Sequence, residues 1–243
     1  MNNELPNEDY VGGLFGSING GAVRNLGVKG KVAGSTYVGG VAYALYSGSI
    51  VNCFAAIEVK GKTYVGGIAG VLSGSNIINC YVTGAVSGSS AVGGVVGAIG
   101  INTGNVTNCY VTAAVSGNSA TGGIGAGNAT SCAALNPSIS RASGSNKSHA
   151  RVKNSGNITN SNNVAWKDMA ALGGIAFSVG SANNKDGADV TAAQAKTQKI
   201  YEDLGWKFGK DDDNPWKMGV GEYGLPVFFW QTAAPAAMPA HLK

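Results

Sequence analysis

Apolar and glycine positions recur in fixed phase over the first half of the chain. Tyr-Val-Gly-Gly-Leu-Phe-Gly starts at Tyr10, and close copies start at Tyr37, Tyr64 and Ala91, each 27 residues after the one before. A second phrase follows in every copy: Ala-Val-Arg-Asn-Leu from Ala22, Ser-Ile-Val-Asn-Cys from Ser49, Asn-Ile-Ile-Asn-Cys from Asn76 and Asn-Val-Thr-Asn-Cys from Asn105. A fixed period of this length means one supersecondary unit copied along an axis.

Within the unit from Tyr37 to Thr63, Val38 and Val41 flank Gly39-Gly40. Apolar residues three apart break the alternation of a strand, so the glycine pair predicts a bend in which backbones stack closely. A second strand is expected through Ser49–Cys53 and a third through Ile57–Val59, giving three short strands per unit. Helical repeats are excluded, because the units are rich in glycine and β-branched residues. A propeller blade would need roughly 40–45 residues. The period fits an all-β fold, a right-handed parallel β-helix (β-solenoid) of about 27 residues per coil. The fourth unit carries a two-residue insertion near Gly100–Thr103, and the fifth, from Thr121 to Ala134, is six residues shorter than the fourth between its glycines and its cysteine. Such changes belong at corners.

Stacking the units produces columns. Asn25, Asn52, Asn79 and Asn108 form one, expected to be a corner ladder of hydrogen-bonded amides, with ligand binding as the alternative. Leu26, Cys53, Cys80, Cys109 and Cys132 form the next. Leucine in the first slot indicates that the position takes a compact apolar side chain, so the thiols are expected to be buried and unpaired rather than disulfide-bonded. A line of thiols without histidine does not suit zinc. If the cysteines point in, Phe54, Tyr81 and Tyr110 should point out. Tyr10, Tyr37 and Tyr64 make a second aromatic line. Tyr37, Tyr64, Phe54, Tyr81 and Tyr110 are therefore the candidate contact residues, with cross-coil stacking as the structural alternative.

Charge narrows the partners. The net charge is +4, yet the 77 residues from Tyr64 to Ser140 contain no Asp, Glu, Lys, Arg or His. The repeat cations are Arg24, Lys29, Lys31, Lys60 and Lys62, all in the first two units. A nucleic-acid stripe would run the length of the array, so nucleic acid is not an expected partner. No apolar run reaches the roughly 18–20 residues of a membrane span. Residues Met1–Tyr10 are polar and acidic and lack a signal-peptide pattern.

The units, best seen from Tyr64 to Ser90 with Asn-Cys-Tyr-Val-Thr-Gly-Ala-Val-Ser, resemble the GLUG repeat of bacterial surface and secreted proteins. The resemblance spans about residues 10–135. Tail phrases such as Tyr201–Phe208 and Leu225–Trp230 resemble sequences that close such arrays. The resemblance implies a place at the cell surface or beyond it, in adhesin-like or protease-associated proteins, often of gut bacteria.

The organisation expected is a repeat solenoid over 1–140, an irregular last coil over 141–190, and a capping segment over 191–243. Arg151-Val152, Asn157–Asn160 and Val164–Trp166 would build the last coil. Thr191 and Gln194 have capping-box spacing, and a helix over about Ala192–Asp203 should end at Gly205. Trp206, Phe208, Trp216, Phe228, Phe229 and Trp230 would cover the end of the array. Asp211–Asn214, and Asp186 with Asp189, lack calcium-loop spacing and read as solvated turns.

Together these features point to a non-enzymatic structural or adhesion module, with no cofactor or metal. Host or matrix glycans or proteins are the expected partners, with end-to-end self-association as a further option. The enzymatic alternative, polysaccharide cleavage, would have to lean on Glu58 among Lys29, Lys31, Lys60 and Lys62.

Overall fold

In the computed structural model the chain forms a parallel β-solenoid; residues 1–146, 148–153, 160–178, 180–232 and 238–243 are described here. Each full coil has four strands rather than the three expected. In the second coil they are Thr36–Gly39, Ala42–Tyr46, Ser49–Val51 and Phe54–Lys60, and they define the first to fourth faces. The unforeseen strand is the second. Its sequence Ala-Tyr-Ala-Leu-Tyr, and Ala-Gly-Val-Leu-Ser in the next coil, hide the alternation behind small residues.

All pairing between coils is parallel and keeps the repeat in register. Val38, Val65 and Val92 stand side by side, as do Ile50, Ile77 and Val106. The glycine pair is the corner between first and second faces. A Cβ on Gly40 would run into the carbonyl oxygen of Gly67 in the next coil, so only glycine lets the coils close up there. Inward columns of Val, Ile, Leu and Cys fill the interior, with Val38, Ile50, Ile68, Leu72 and Ile77 fully buried.

Asn2–Glu4 adds a strand to the fourth face against Lys31–Ala33. The first coil otherwise leaves Leu14 and Phe15 exposed, where later coils bury Val41 and Ala42, or Ile68 and Ala69. At the other end, His149–Ala150, Asn160–Ser161, Val164–Trp166 and Ala170–Leu172 extend the first-, third- and fourth-face sheets as an irregular coil. Asn157, Ile158 and Thr159 lie outside the described residues.

The tail begins with the expected capping box: the Gln194 N–H donates to Thr191 Oγ1 and the Thr191 N–H to Gln194 Oε1. The single helix expected is two, α1 (Ala192–Ala195) and α2 (Gln198–Asp203). Gly205, at φ +90°, ends the second. A hairpin of Trp216–Met218 and Pro226–Phe228 follows. The tail meets the last coil where His241 packs on Trp166, with ring centroids 4.8 Å apart. It also runs back along the flank, so that Trp206 Nε1 donates to Ser131 O and Asp212 reaches Asn25 of the first coil.

Candidate functional site

The corner between third and fourth faces sets the orientation of everything outside it. Asn25, Asn52, Asn79 and Asn108 all take φ between +50° and +54°, a left-handed turn that asparagine tolerates better than most residues. Their amides form the expected ladder: Asn79 Nδ2 donates to Asn52 Oδ1, and Asn108 Nδ2 to Asn79 Oδ1, both at 3.1 Å. Its lower end belongs to the tail, since Asn25 Nδ2 donates to Asp212 Oδ1 and Asn52 Nδ2 to the Asp212 carbonyl. A second ladder, Asn128 to Asn105 to Asn76, runs along the third face. Sequence reasoning missed it, although these asparagines align at the start of the Asn-Cys phrase.

The turn sends Cys53, Cys80, Cys109 and Cys132 inward, where all four are buried and free. Their Sγ atoms donate to backbone carbonyls such as Val51 O, Ile78 O and Thr107 O. The neighbouring Cys80 thiol and burial push the Cys53 thiol up, and burial does the same at Cys109. At Cys53 and Cys109 a thiol held protonated is a poor nucleophile and a poor metal ligand.

Phe54, Tyr81 and Tyr110 leave the core as expected, but they do not face solvent. Their rings stack at 5.1 and 4.8 Å, and the tail covers them. Trp230 stacks on Phe54, Phe228 on Tyr81, and Trp206 on Tyr110. Trp216 lies at 4.6 Å from both Trp206 and Phe228. The hydroxyls are taken as well: Tyr81 donates to Gln231 Oε1, and Tyr110 to Pro226 O. These three candidates thus serve as the tail's docking strip. A cleft of about 320 Å³ remains beside them, between Lys29, Thr83 and Tyr223.

Tyr10, Tyr37 and Tyr64 form the other column, also at left-handed corners with φ near +60°. Tyr37 stacks on Tyr10 at 5.2 Å and on Tyr64 at 4.8 Å, and Tyr43 meets Tyr10 edge-on. With Tyr43, the Tyr37 and Tyr64 rings rest on Ala44, Val71 and Ala98, the outward residues of the second face. No segment of the described chain covers this column. Burial raises the Tyr37 phenol, with Tyr64, Tyr10 and Asp9 adding to the shift, and Tyr10 remains 58% exposed. Beside them lies a groove of about 420 Å³.

Charged groups are sparse and mostly spoken for. Glu58 contacts Lys31 at 3.1 Å and Lys60 at 2.6 Å, and hydrogen bonds from Lys60 and Lys31 hold its carboxyl below the usual range. Asp211 Oδ1 accepts from the Asp213 and Asn214 backbone and from Asn214 Nδ2. Asp186 is buried and accepts from the Arg151 and Ser178 backbone, and Asp189 pairs with Arg151 at 2.7 Å. Among the described residues no three His, Cys, Asp or Glu side chains converge to hold a metal.

The family description "The GLUG motif" matches residues 61–87, the unit that runs from the third Tyr corner through the Asn-Cys phrase. The register of the surrounding coils repeats that unit. The chain thus carries a GLUG motif over residues 61–87. Its fold is shared with a crystal structure from Bacteroides ovatus described as a candidate immunoglobulin A1 protease, at 23% identity and a TM-score of 0.58. That likeness covers 86% of this chain and 75% of the other. No curated protein matches the chain. No helix among its described residues is long and apolar enough to cross a membrane.

Proposed function

We propose that this GLUG chain is a non-enzymatic structural and adhesive module, held at or beyond the cell surface, that offers its open tyrosine column to a partner. The observation that carries this reading is the contrast between two aromatic columns of matching geometry. One already has its partner in the tail, while the other keeps Tyr10 in solvent beside a groove that exposed Tyr46 also lines. Aromatic clusters that are half exposed are favoured contact surfaces. The uncharged stretch from Tyr64 to Ser140 suits contact by shape and hydrogen bonding rather than by electrostatic steering.

The test is adhesion of beads coated with the protein to cells or matrix. Tyr10→Ser with Tyr37→Ser should abolish retention, and retention equal to wild type would sink the reading. The enzymatic alternative rests on Glu58, whose carboxylate is clamped between two lysines. Product release from a polysaccharide panel that Glu58→Gln abolishes would install it instead. Self-association is favoured by one observation, the exposed Leu14 and Phe15 on the edge of the first coil. A parallel coil from a second copy would bury them, and light scattering that falls on dilution would reveal it.

A further inference from the structure

We propose that the groove on the second face binds a neutral, linear glycan, with the loop at Gly100–Thr103 as its rim. This rests on the adhesive reading above and names the class of partner.

The groove runs along the outward side of the second face, where buried Val71 and Ser73 line it together with the more exposed Tyr37 and Tyr46. The rim comes from the two-residue insertion of the fourth unit. It is braced from both ends: Gly100 N donates to Leu72 O at 2.8 Å, Asn102 N to Ser73 Oγ at 3.3 Å, and Gly74 N to Asn102 O at 3.4 Å. A Cβ on Gly100 would lie 2.8 Å from the Ser73 Cβ, so glycine is what allows the loop to sit so close. This braced loop holds Ile101 at 97% exposure. A pinned backbone that keeps a large apolar side chain in water contributes nothing to folding, but it supplies an apolar contact at the lip of a concavity.

The chemistry of the lining selects the ligand. Val71, Ile101 and the tyrosine rings are apolar, and Ser47, Ser73 and Asn102 bring hydroxyls and an amide. A sugar ring carries the same mixture, C–H faces beside hydroxyls. Stacking at 5.2 and 4.8 Å covers both faces of Tyr37, so its edge and hydroxyl meet the ligand and the flat contacts fall to Tyr46 and Ile101. No Lys, Arg or His lines the groove, so a uronate or sulfated sugar finds no counter-charge. Asp9, whose charge reaches Tyr37, would repel one. The groove crosses coils that repeat the same backbone at about 4.8 Å, which suits a polymer more than a single sugar.

The test is calorimetric titration of the full chain with soluble neutral oligosaccharides (β-1,4-glucans, xylans, mannans and chitin oligomers), alongside polygalacturonate and hyaluronate fragments. At least one neutral series should bind, with Ile101→Ser and Tyr46→Ser each weakening it about tenfold. Ile101→Ser should leave the melting temperature unchanged, since its side chain touches little, so its loss of binding is not a loss of folding. Tyr81→Phe, under the tail, should leave binding unchanged. Binding of acidic sugars alone, of a protein partner alone, or of a neutral glycan indifferent to Ile101→Ser and Tyr46→Ser would overturn the proposal. Coated beads that still adhere while no neutral saccharide binds would sink the groove but keep the adhesive module.

Discussion

Phe54, Tyr81 and Tyr110 stack at 5.1 and 4.8 Å, and Tyr10, Tyr37 and Tyr64 stack at 5.2 and 4.8 Å. The repeat thus builds two aromatic ladders with the same spacing, because both occupy fixed slots in coils that advance by one strand separation. Their surroundings differ completely. The first is sealed under Trp206, Trp216, Phe228 and Trp230, with Tyr81 and Tyr110 buried. The second lies on the small residues Ala44, Val71 and Ala98 and remains open. Stacking therefore explains how the rings are held in both ladders, but it does not say what they face.

The largest expected effect comes from removing the cover. Trp216 is fully buried and packs on Trp206, Phe228, Tyr81 and Tyr110. Trp216→Ala should cost about 3–5 kcal/mol, the range for deleting a buried aromatic. Hydrogen exchange should show the loss in the tail first, with the coils near Ile50 and Ile77 still protected. Uniform loss of protection would mean that tail and solenoid fold as one unit, and the comparison would lose its basis.

Alkaline pH should separate the ladders next. Burial pushes Tyr81, Tyr110 and Tyr201 well up, and Tyr223 up to about 12. The unfolded phenols release protons near pH 10. Above that pH the folded state binds more protons than the unfolded one, so the stability these groups contribute is complete below pH 10 and drains as pH rises beyond it. Absorbance of tyrosinate should climb together with tail release, followed by tryptophan emission. Ionisation of these four phenols with the tryptophans still buried would contradict the docking described here.

How much of this was legible from the chain depends on whether a residue's neighbours are one period away. The Asn corner and the thiol column were readable because each ladder partner sits 27 or 29 residues along, so alignment of the sequence with itself places them together. The capping box was readable because it is local. The burial of Phe54, Tyr81 and Tyr110 was not, since their cover comes from residues such as Gln231, 150 positions beyond Tyr81, and the tail has no periodicity to align. The second face stayed hidden for a different reason. Gly70 and Gly97 replace side chains that would collide with the corner tyrosine backbones of the preceding coils, and glycine erases the alternation that marks a strand.

A matched pair of hydroxyl deletions tests the same contrast at lower amplitude. Tyr110 donates to Pro226 O at 2.8 Å and meets the Tyr223 hydroxyl at 3.1 Å, both buried. Tyr110→Phe should cost about 1–3 kcal/mol, the penalty for leaving buried partners unpaired. Tyr37→Phe, at a half-buried ring that lines the groove, should change denaturation midpoints little. Equal costs for the two would show that the open ladder is as structural as the covered one.

The smallest effect concerns where the open ladder stops. Its corner slots continue as Ala91 and Ala120, with φ of +53° and +48°, so the backbone there already accepts the conformation that the three tyrosines adopt. What changes is the support. In the fifth coil the second face shrinks to isolated bridges at Gly125, with Val96 on one side and Lys153 on the other, and a ring at Ala91 would have little floor beyond Ala98. Ala91→Tyr should therefore gain only the stack on Tyr64, about 0.5–1 kcal/mol, seen as a small rise in the denaturation midpoint. A gain several times larger would mean that rings in this column find more support than the second face supplies. A loss would show that Ala91 is there to leave room, and would make the end of the ladder a boundary of the groove rather than an accident of the short fifth coil.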